Sequence, residues 1–359
     1  MSERPEKIRA APLVVTRDES LLAEVVRLTA AAGVAPDILR DPDRVLASWP
    51  SASLVLVGAD AAGHLARSAL PRRTGVHVLA LDDVADPVYR DALGCGAESV
   101  LVLPEAGGWL VDALTDAGDG DCGTGTVVGV VGAAGGVGAT TFAAALAQIL
   151  AVGGPALAID ADAAGAGLDQ VLGLEAEPGV RWEGLLQASG RLSARSLRDT
   201  LPARAGLSVL AWSADRTTPL TAPSMREVLS AGRRGYPVVV VDLPRQRDAV
   251  GEEALSRCDQ VVLVTTTTVP AVSAAARWAR RLPSVPAHLV LRGRSGGVPV
   301  PDIERLLGQR ALVRMPDQRG LDEAVSLGLG PLRSSKGPLA RAARSVAGAV
   351  LSTGGGTRR

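Results

Sequence analysis

The densest chemistry in the sequence is a glycine loop. An apolar stretch at 127–131 runs into Gly132-Ala133-Ala134-Gly135-Gly136-Val137-Gly138-Ala139-Thr140-Thr141, and a helical pattern follows at 142–151. Strand, glycine loop and helix together make phosphate-binding architecture. The glycines let the backbone approach an anion, and the helix N-terminus offers unpaired N–H groups and a positive dipole end. Two other apolar runs end in carboxylates: Ile159-Asp160-Ala161-Asp162, and Val238-Val239-Val240-Val241-Asp242-Leu243-Pro244. Asp162 reads as a helix cap after its strand. Arg245 and Arg247 come next, readable as phosphate ligands or as surface charges facing solvent or a partner.

These groups need a frame. The 359 residues imply two or three domains. A hydrophobic fraction of 47% can bury large cores and excludes a disordered chain. The 38 basic residues balance 38 acidic ones, which argues against a chain-wide nucleic-acid footprint. Strand-like runs at 13–16, 37–39, 54–57, 76–81 and 99–103 alternate with helical patterns, as at 20–32, and imply a parallel sheet. The segment 116–125, rich in Gly and Asp, reads as a linker. The expected organisation is therefore a first domain at 1–115, a linker at 116–125, a second domain at 126–352 and a flexible tail at 353–359. The uncharged stretch 122–159 is long enough to cross a membrane, but its glycines and Pro155 favour a strand, loop and helix.

The first domain resembles a response-regulator receiver, on its five strand–helix units and on Ala92-Leu93-Gly94-Cys95-Gly96-Ala97 before a strand ending Leu103-Pro104. Receiver chemistry needs acidic residues after the first strand, an acceptor aspartate after the third and a lysine after the fifth. Here Asp18 and Glu19 are displaced, Asp60 comes two positions late, and Leu103 stands at the lysine position. The expectation is a receiver-shaped domain that takes no phosphate; an unrelated small α/β domain is the other reading.

Two families share the outline of the glycine loop. Gly132, Gly136 and Gly138 match the loop of short-chain dehydrogenases, but neither Tyr89 nor Tyr236 has the lysine four residues on that their catalysis requires. The second family is the MinD/ParA deviant Walker ATPases, which Ala134-Gly135-Gly136-Val137-Gly138-Ala139-Thr140-Thr141 resembles. Asp160, Asp162, Gly165, Leu168-Asp169 and Leu172-Gly173 are similar to its first switch segment. The strand ending at Asp242 is similar to its Walker B strand, and Met315-Pro316-Asp317 with Gly328-Leu329-Gly330-Pro331 to the loop beside the purine. Within the family the chain looks closest to the CpaE/TadZ-like branch and its septum site-determining (Ssd-like) proteins, on Gly179-Val180-Arg181-Trp182-Glu183-Gly184-Leu185-Leu186, Ser189-Gly190-Arg191-Leu192 and Val209-Leu210-Ala211-Trp212.

The resemblance implies an α/β fold: a receiver-like (flavodoxin-like) domain, then a P-loop NTPase-like parallel sheet with helices on both faces. It implies ATP or ADP with Mg²⁺ as weak ligands, contacted by Gly135, Gly136, Val137, Gly138, Ala139, Thr140, Thr141, Asp160, Asp162, Asp242, Arg245, Pro316 and Asp317. Thr140, Asp160 and Asp242 would hold the metal, and Asp162 would be the catalytic residue of a degenerate site. The family's loop lysines contact the nucleotide of their own protomer and of its partner. Here both positions are alanine, Ala134 and Ala139, and the only lysines are Lys7 and Lys336. Losing a preorganised cation at a phosphate costs on the order of 10²–10³-fold in rate. The branch places division or pilus and secretion machinery, so protein partners are expected, with a homodimer among them, no nucleic acid, and membrane contact through partners. A working ATPase that uses arginine, and a phosphorylation-gated signalling protein, are the alternatives.

Other features have blander expectations. Trp182 and Trp212 read as core or interface anchors. Arg233-Arg234 and Arg280-Arg281 read as solvated helix ends. Pro338 to Leu351 is amphipathic, with Leu339, Ala342, Ala343, Val346, Val350 and Leu351 on one face, and reads as a closing helix rather than a membrane-seeking one. Cys95, Cys122 and Cys258 lie far apart without a C-x-x-C pair, so neither a disulfide framework nor a metal site is expected. With no apolar leader at 1–11, the expected residence is the cytoplasm, with recruitment to a septum, a pole or the inner membrane face.

Overall fold

The computed structural model describes residues 11–354 except 69, 83, 120–124, 188–191, 214–218, 247, 294–296, 333 and 335. The chain divides into two units, Met1–Asp121 and Cys122–Arg359.

The first unit is a five-stranded sheet in the order β2-β1-β3-β4-β5, with all pairings parallel. Its elements are β1 (Leu13–Val15), α1 (Glu19–Ala31), β2 (Asp37–Leu39), β3 (Val55–Gly58), α2 (Ala59–Arg67), β4 (Val76–Ala80), α3 (Asp86–Gly94), β5 (Ser99–Val102) and α4 (Gly107–Asp119). Val55 and Val57 face α2 and α3 on one side, and Leu54 and Leu56 face α1 and α4 on the other. The helix α4 continues through residues 116–119, which composition had assigned to the linker. Leu110 and Leu114 bury one stripe of it and Ala117 extends that stripe, so packing overrides the Gly and Asp content.

The second unit is an eight-stranded sheet in the order β13-β12-β11-β6-β10-β7-β9-β8, parallel except for the β8–β9 edge pair. It runs β6 (Thr126–Gly132), α5 (Ala139–Ala151), β7 (Ala156–Asp160), α6 (Leu168–Leu172), α7 (Trp182–Gln187), α8 (Ala194–Thr200), β8 (Ala203–Arg204), β9 (Leu207–Leu210), α9 (Ala222–Gly235) and β10 (Val238–Asp242). It continues α10 (Ala249–Ser256), β11 (Gln260–Thr266), α11 (Val269–Ala279), β12 (Ala287–Arg292), α12 (Val300–Leu307), β13 (Ala311–Met315), α13 (Leu321–Ser326) and α14 (Pro338–Gly354). Val128 and Val130 of β6 pack with α5 and α14, while Val127 and Val131 pack with the helices of the opposite face. A strand buried on both faces reads as continuous apolar sequence, and β6 and β10 do so. The chain winds to one side of β6 through β7 and β9, then returns to cross to β11. Winding therefore reverses around β6, which is where open parallel sheets place their ligands.

The helix α14 closes the sheet. Leu339, Ala342, Ala343, Val346 and Val350 are buried against α5 and β13, and the Gln260 amide donates to the Val350 carbonyl at 3.0 Å. Leu351, expected on the same face, is exposed because it follows Val350 by a single step around the helix. The helix reaches Gly354, so residues 353 and 354 belong to it rather than to a tail. The paired arginines in the last turn of α9 are bonded rather than simply solvated: Arg233 pairs with Asp259, and Arg234 donates to the Leu192 carbonyl. No helix among the described residues is long and apolar enough to cross a membrane.

Candidate functional site

The glycine loop leaves the buried end of β6 and enters α5. Gly136 and Gly138 have φ of +73° and +88°, a region that side chains rarely adopt. Gly138 caps α5 and no side chain closes that helix end, which leaves its first-turn N–H groups available to an anion. Thr140 and Thr141 stand in that first turn. Ala134 and Ala139 pack against the core on the α5 side.

The carboxylates lie beside the loop because β10 is hydrogen-bonded to both β6 and β7. Register pairs Asp242 with Val130 on one side and with Asp160 on the other. Asp160 is 1% exposed, and its oxygens accept from the Asp162 N–H at 3.0 Å and the Leu168 N–H at 2.9 Å. Its carbonyl accepts from the Trp182 indole at 2.8 Å. Burial pushes the Asp160 carboxyl up to about 6, with the two N–H groups opposing. Asp242 is pushed to about 8, first by burial and then by the Asp160 charge, while the facing Thr140 hydroxyl acts the other way. Asp162 is half-buried and accepts from the Ala164 N–H at 3.1 Å. It therefore caps a turn and not a helix, since α6 begins only at Leu168.

The segment between β7 and α7 is clamped by a residue whose role sequence reading did not assign. Arg181 pairs with the buried Asp169 at 3.3 Å and donates to the carbonyls of Leu174, Glu175 and Glu177. Gly173, at φ +68°, backs onto Gly328, where a Cβ would lie 1.9 Å from the Gly328 carbonyl oxygen. Two motifs 155 positions apart in sequence therefore meet through glycines. Trp182 and Trp212 are core residues with ring centroids 5.7 Å apart.

Two arginines flank the loop. The Arg245 guanidinium lies 3.7 Å from where a Cβ on Gly135 would sit. Beside it a cleft of about 490 Å³ is lined by Asp162, Trp212, Pro244, Arg245, Gln246 and Asp248 among others. Arg247 lies outside the described residues. On the other flank is Arg292, which sequence reading missed; it donates to Asp317 at 2.9 Å and to the Gly136 carbonyl at 3.4 Å. Its one signal was a position at the end of the apolar run Leu289-Val290-Leu291, level with Met315 across the sheet. Pro316 and Asp317 are thus brought to the loop through Arg292 and a small hollow shared with Gly138 and Thr141. Among the described residues no group of three or more His, Cys, Asp or Glu side chains stands in metal-ligating geometry.

The chain is similar to known proteins in both of its units. Residues 15–124 match the family described as Rv3660c-like, CheY-like N-terminal domain. The uncharacterized protein Rv3660c of Mycobacterium tuberculosis (strain ATCC 25618 / H37Rv) is 38% identical over 348 residues, covering 94% of this chain and 97% of that protein. The chain belongs to the Rv3660c-like family. Its second unit has the fold of MinD and ParA proteins. A ParA family ATPase from Chlorobium tepidum TLS is similar with TM-score 0.57 and 20% identity, covering 62% of this chain and 98% of that one. The septum site-determining protein MinD of Pyrococcus horikoshii OT3, complexed with Mg-ADP, is similar with TM-score 0.55 and 19% identity, covering 64% and 97%.

In this Rv3660c-like chain the receiver-like domain uses its displaced aspartate internally. The two Asp60 oxygens accept from the Thr16 hydroxyl and the Arg17 N–H, both at 2.7 Å. Leu103, at the lysine position, is fully buried. In the MinD/ParA-like domain the loop fits a phosphate group: Gly136 and Gly138 are left-handed, no side chain caps the helix end, and a Cβ at Gly136 meets nothing within 4 Å. Thr140, Asp160 and Asp242 are the residues that would hold a phosphate-bound Mg²⁺; each Asp160 oxygen already accepts one backbone N–H.

Proposed function

We propose that this protein is a spatial regulator or scaffold for septum formation or for pilus and secretion assembly, with weak nucleotide binding and little or no hydrolysis. The observation that carries this reading is the make-up of the cradle. Its backbone is shaped for phosphate, yet Ala134 and Ala139 stand where the resembled family places lysines. A backbone nest binds an anion, but it does not supply the mobile cation that neutralises charge building during transfer. The division or pilus role follows from resemblance, supported by the fold shared with a septum site-determining MinD. Protein partners, among them a second copy of the chain, fit the balanced charge better than DNA does.

The test is calorimetry with Mg-ATP and Mg-ADP alongside a phosphate-release assay. Weak binding without appreciable turnover is expected. Substantial Mg²⁺-dependent turnover that disappears in Asp162→Ala would overturn the scaffold reading. A secretion ATPase gene beside this one would favour the pilus role over the septum.

One observation favours a second reading, an ATPase that uses arginine. The Arg245 guanidinium lies over Gly135, at the phosphate end of the loop. That reading requires Arg245→Ala to abolish turnover; unchanged turnover defeats it.

A further inference from the structure

Arg292 ends β12 beside the glycine loop. Its guanidinium spans two loops that are far apart in sequence. One nitrogen donates to Asp317 after β13, and another to the Gly136 carbonyl in the glycine loop. The same side chain is pressed onto Gly138, where a Cβ would lie 2.7 Å from Arg292 Nη1. An anion-binding loop presents its N–H groups to the ligand and turns its carbonyls away. A side chain that donates to one of those carbonyls therefore sits on the outer rim of the cradle and not in the phosphate position.

Beneath this bridge lies the hollow bounded by Gly138, Thr141, Met315, Pro316 and Gln318, with a volume of about 10 Å³. That is room for one water molecule, far less than a nucleobase needs. The Arg292 and Asp317 side chains are 28% and 42% exposed. An ion pair this open is weak and easily exchanged.

We propose that the Arg292–Asp317 pair is a clasp over the nucleoside side of the loop, which must open before a nucleotide can seat its base. The inference rests on the reading that the loop binds nucleotide. The unliganded chain is held closed, and apparent affinity is lowered by the closed fraction.

The test is calorimetry on the full chain with ADP and with inorganic tripolyphosphate, which has no base to seat. Arg292→Gln and Asp317→Asn each break the pair from one side. Both should tighten ADP binding about threefold to fivefold, the range expected for loss of an exposed pair, and leave tripolyphosphate within about twofold. Binding of ADP by the variants with none detectable in the parent chain would also support the clasp. Weaker ADP binding in Arg292→Gln would make Arg292 a ligand and overturn it, as would unchanged ADP binding in both variants. If neither probe binds parent or variants, the nucleotide reading itself falls and takes the clasp with it. Tripolyphosphate binding without any response to ADP overturns the clasp alone.

Discussion

Asp160 and Asp242 stand side by side at the C-terminal ends of adjacent parallel strands, both almost wholly buried, and among the described residues neither is in an ion pair with a cation. The Asp160 charge raises the cost of ionising Asp242. The folded-state values of about 6 and about 8 lie above the ordinary 3.8 of an aspartate. A folded value above the unfolded one means the folded state holds the proton longer. Stability is then greatest below about pH 4 on this account, and falls as pH rises through 6 and 8. Asp242→Asn should flatten that fall. Thermal melts of parent and variant between pH 5 and 8.5 should diverge toward the alkaline end, with the variant the more stable; parallel curves would contradict it.

Restoring a cation to the loop should recover phosphate affinity. Ala139 is in the first turn of α5, where a long side chain can curl back toward the cradle. Ala139→Lys should tighten Mg-ATP binding by about tenfold or more, the scale of a charge-assisted contact of roughly 1.5–3 kcal/mol. Calorimetry decides it, and an unchanged affinity would show that the loop is not the binding element.

The Arg181 clamp should be a stability determinant. Truncation to Ala strands Asp169, which is 4% exposed, and removes the side-chain donor to the carbonyls of Leu174, Glu175 and Glu177. Loss of a buried partner costs roughly 3–5 kcal/mol, or about 6–20 °C in melting temperature for a domain of this size. Hydrogen exchange should rise first in 168–182. A variant that melts with the parent would refute the clamp.

Much of this was legible in sequence because strong local patterns and global architecture agree. The five strands of the first domain, the loop after β6, and the aspartates ending β7 and β10 all follow from apolar runs cut by glycine or carboxylate. What was not legible depends on side chains crossing between elements. Arg181 and Arg292 are two among 36 arginines, and nothing in their neighbours marks which carbonyl each will reach. The linker boundary failed for a related reason: Gly118 and Asp119 are poor helix residues, but Leu110 and Leu114 had already committed the helix to packing.

The receiver-like domain should not accept phosphate. Asp60 is committed to Thr16 and Arg17, and the lysine position is a buried leucine. Intact mass after acetyl-phosphate treatment should show no adduct on Asp60. Asp60→Ala should instead destabilise this domain by about 1–2 kcal/mol, through the loss of two hydrogen bonds tying β1 to the start of α2.

The closing helix α14 has a consequence for how the protein can be handled and recruited. Its apolar stripe is a wall of the same core that holds α5 and the glycine loop. Deleting it would open that core and loosen the cradle, so a chain shortened at 337 should lose ligand response together with foldedness. Nor can the stripe serve as a detachable foot on a lipid surface, because lifting it off would expose Val346 and Val350 and break the Gln260 bond. Any contact with a membrane would therefore use some other surface, or another molecule.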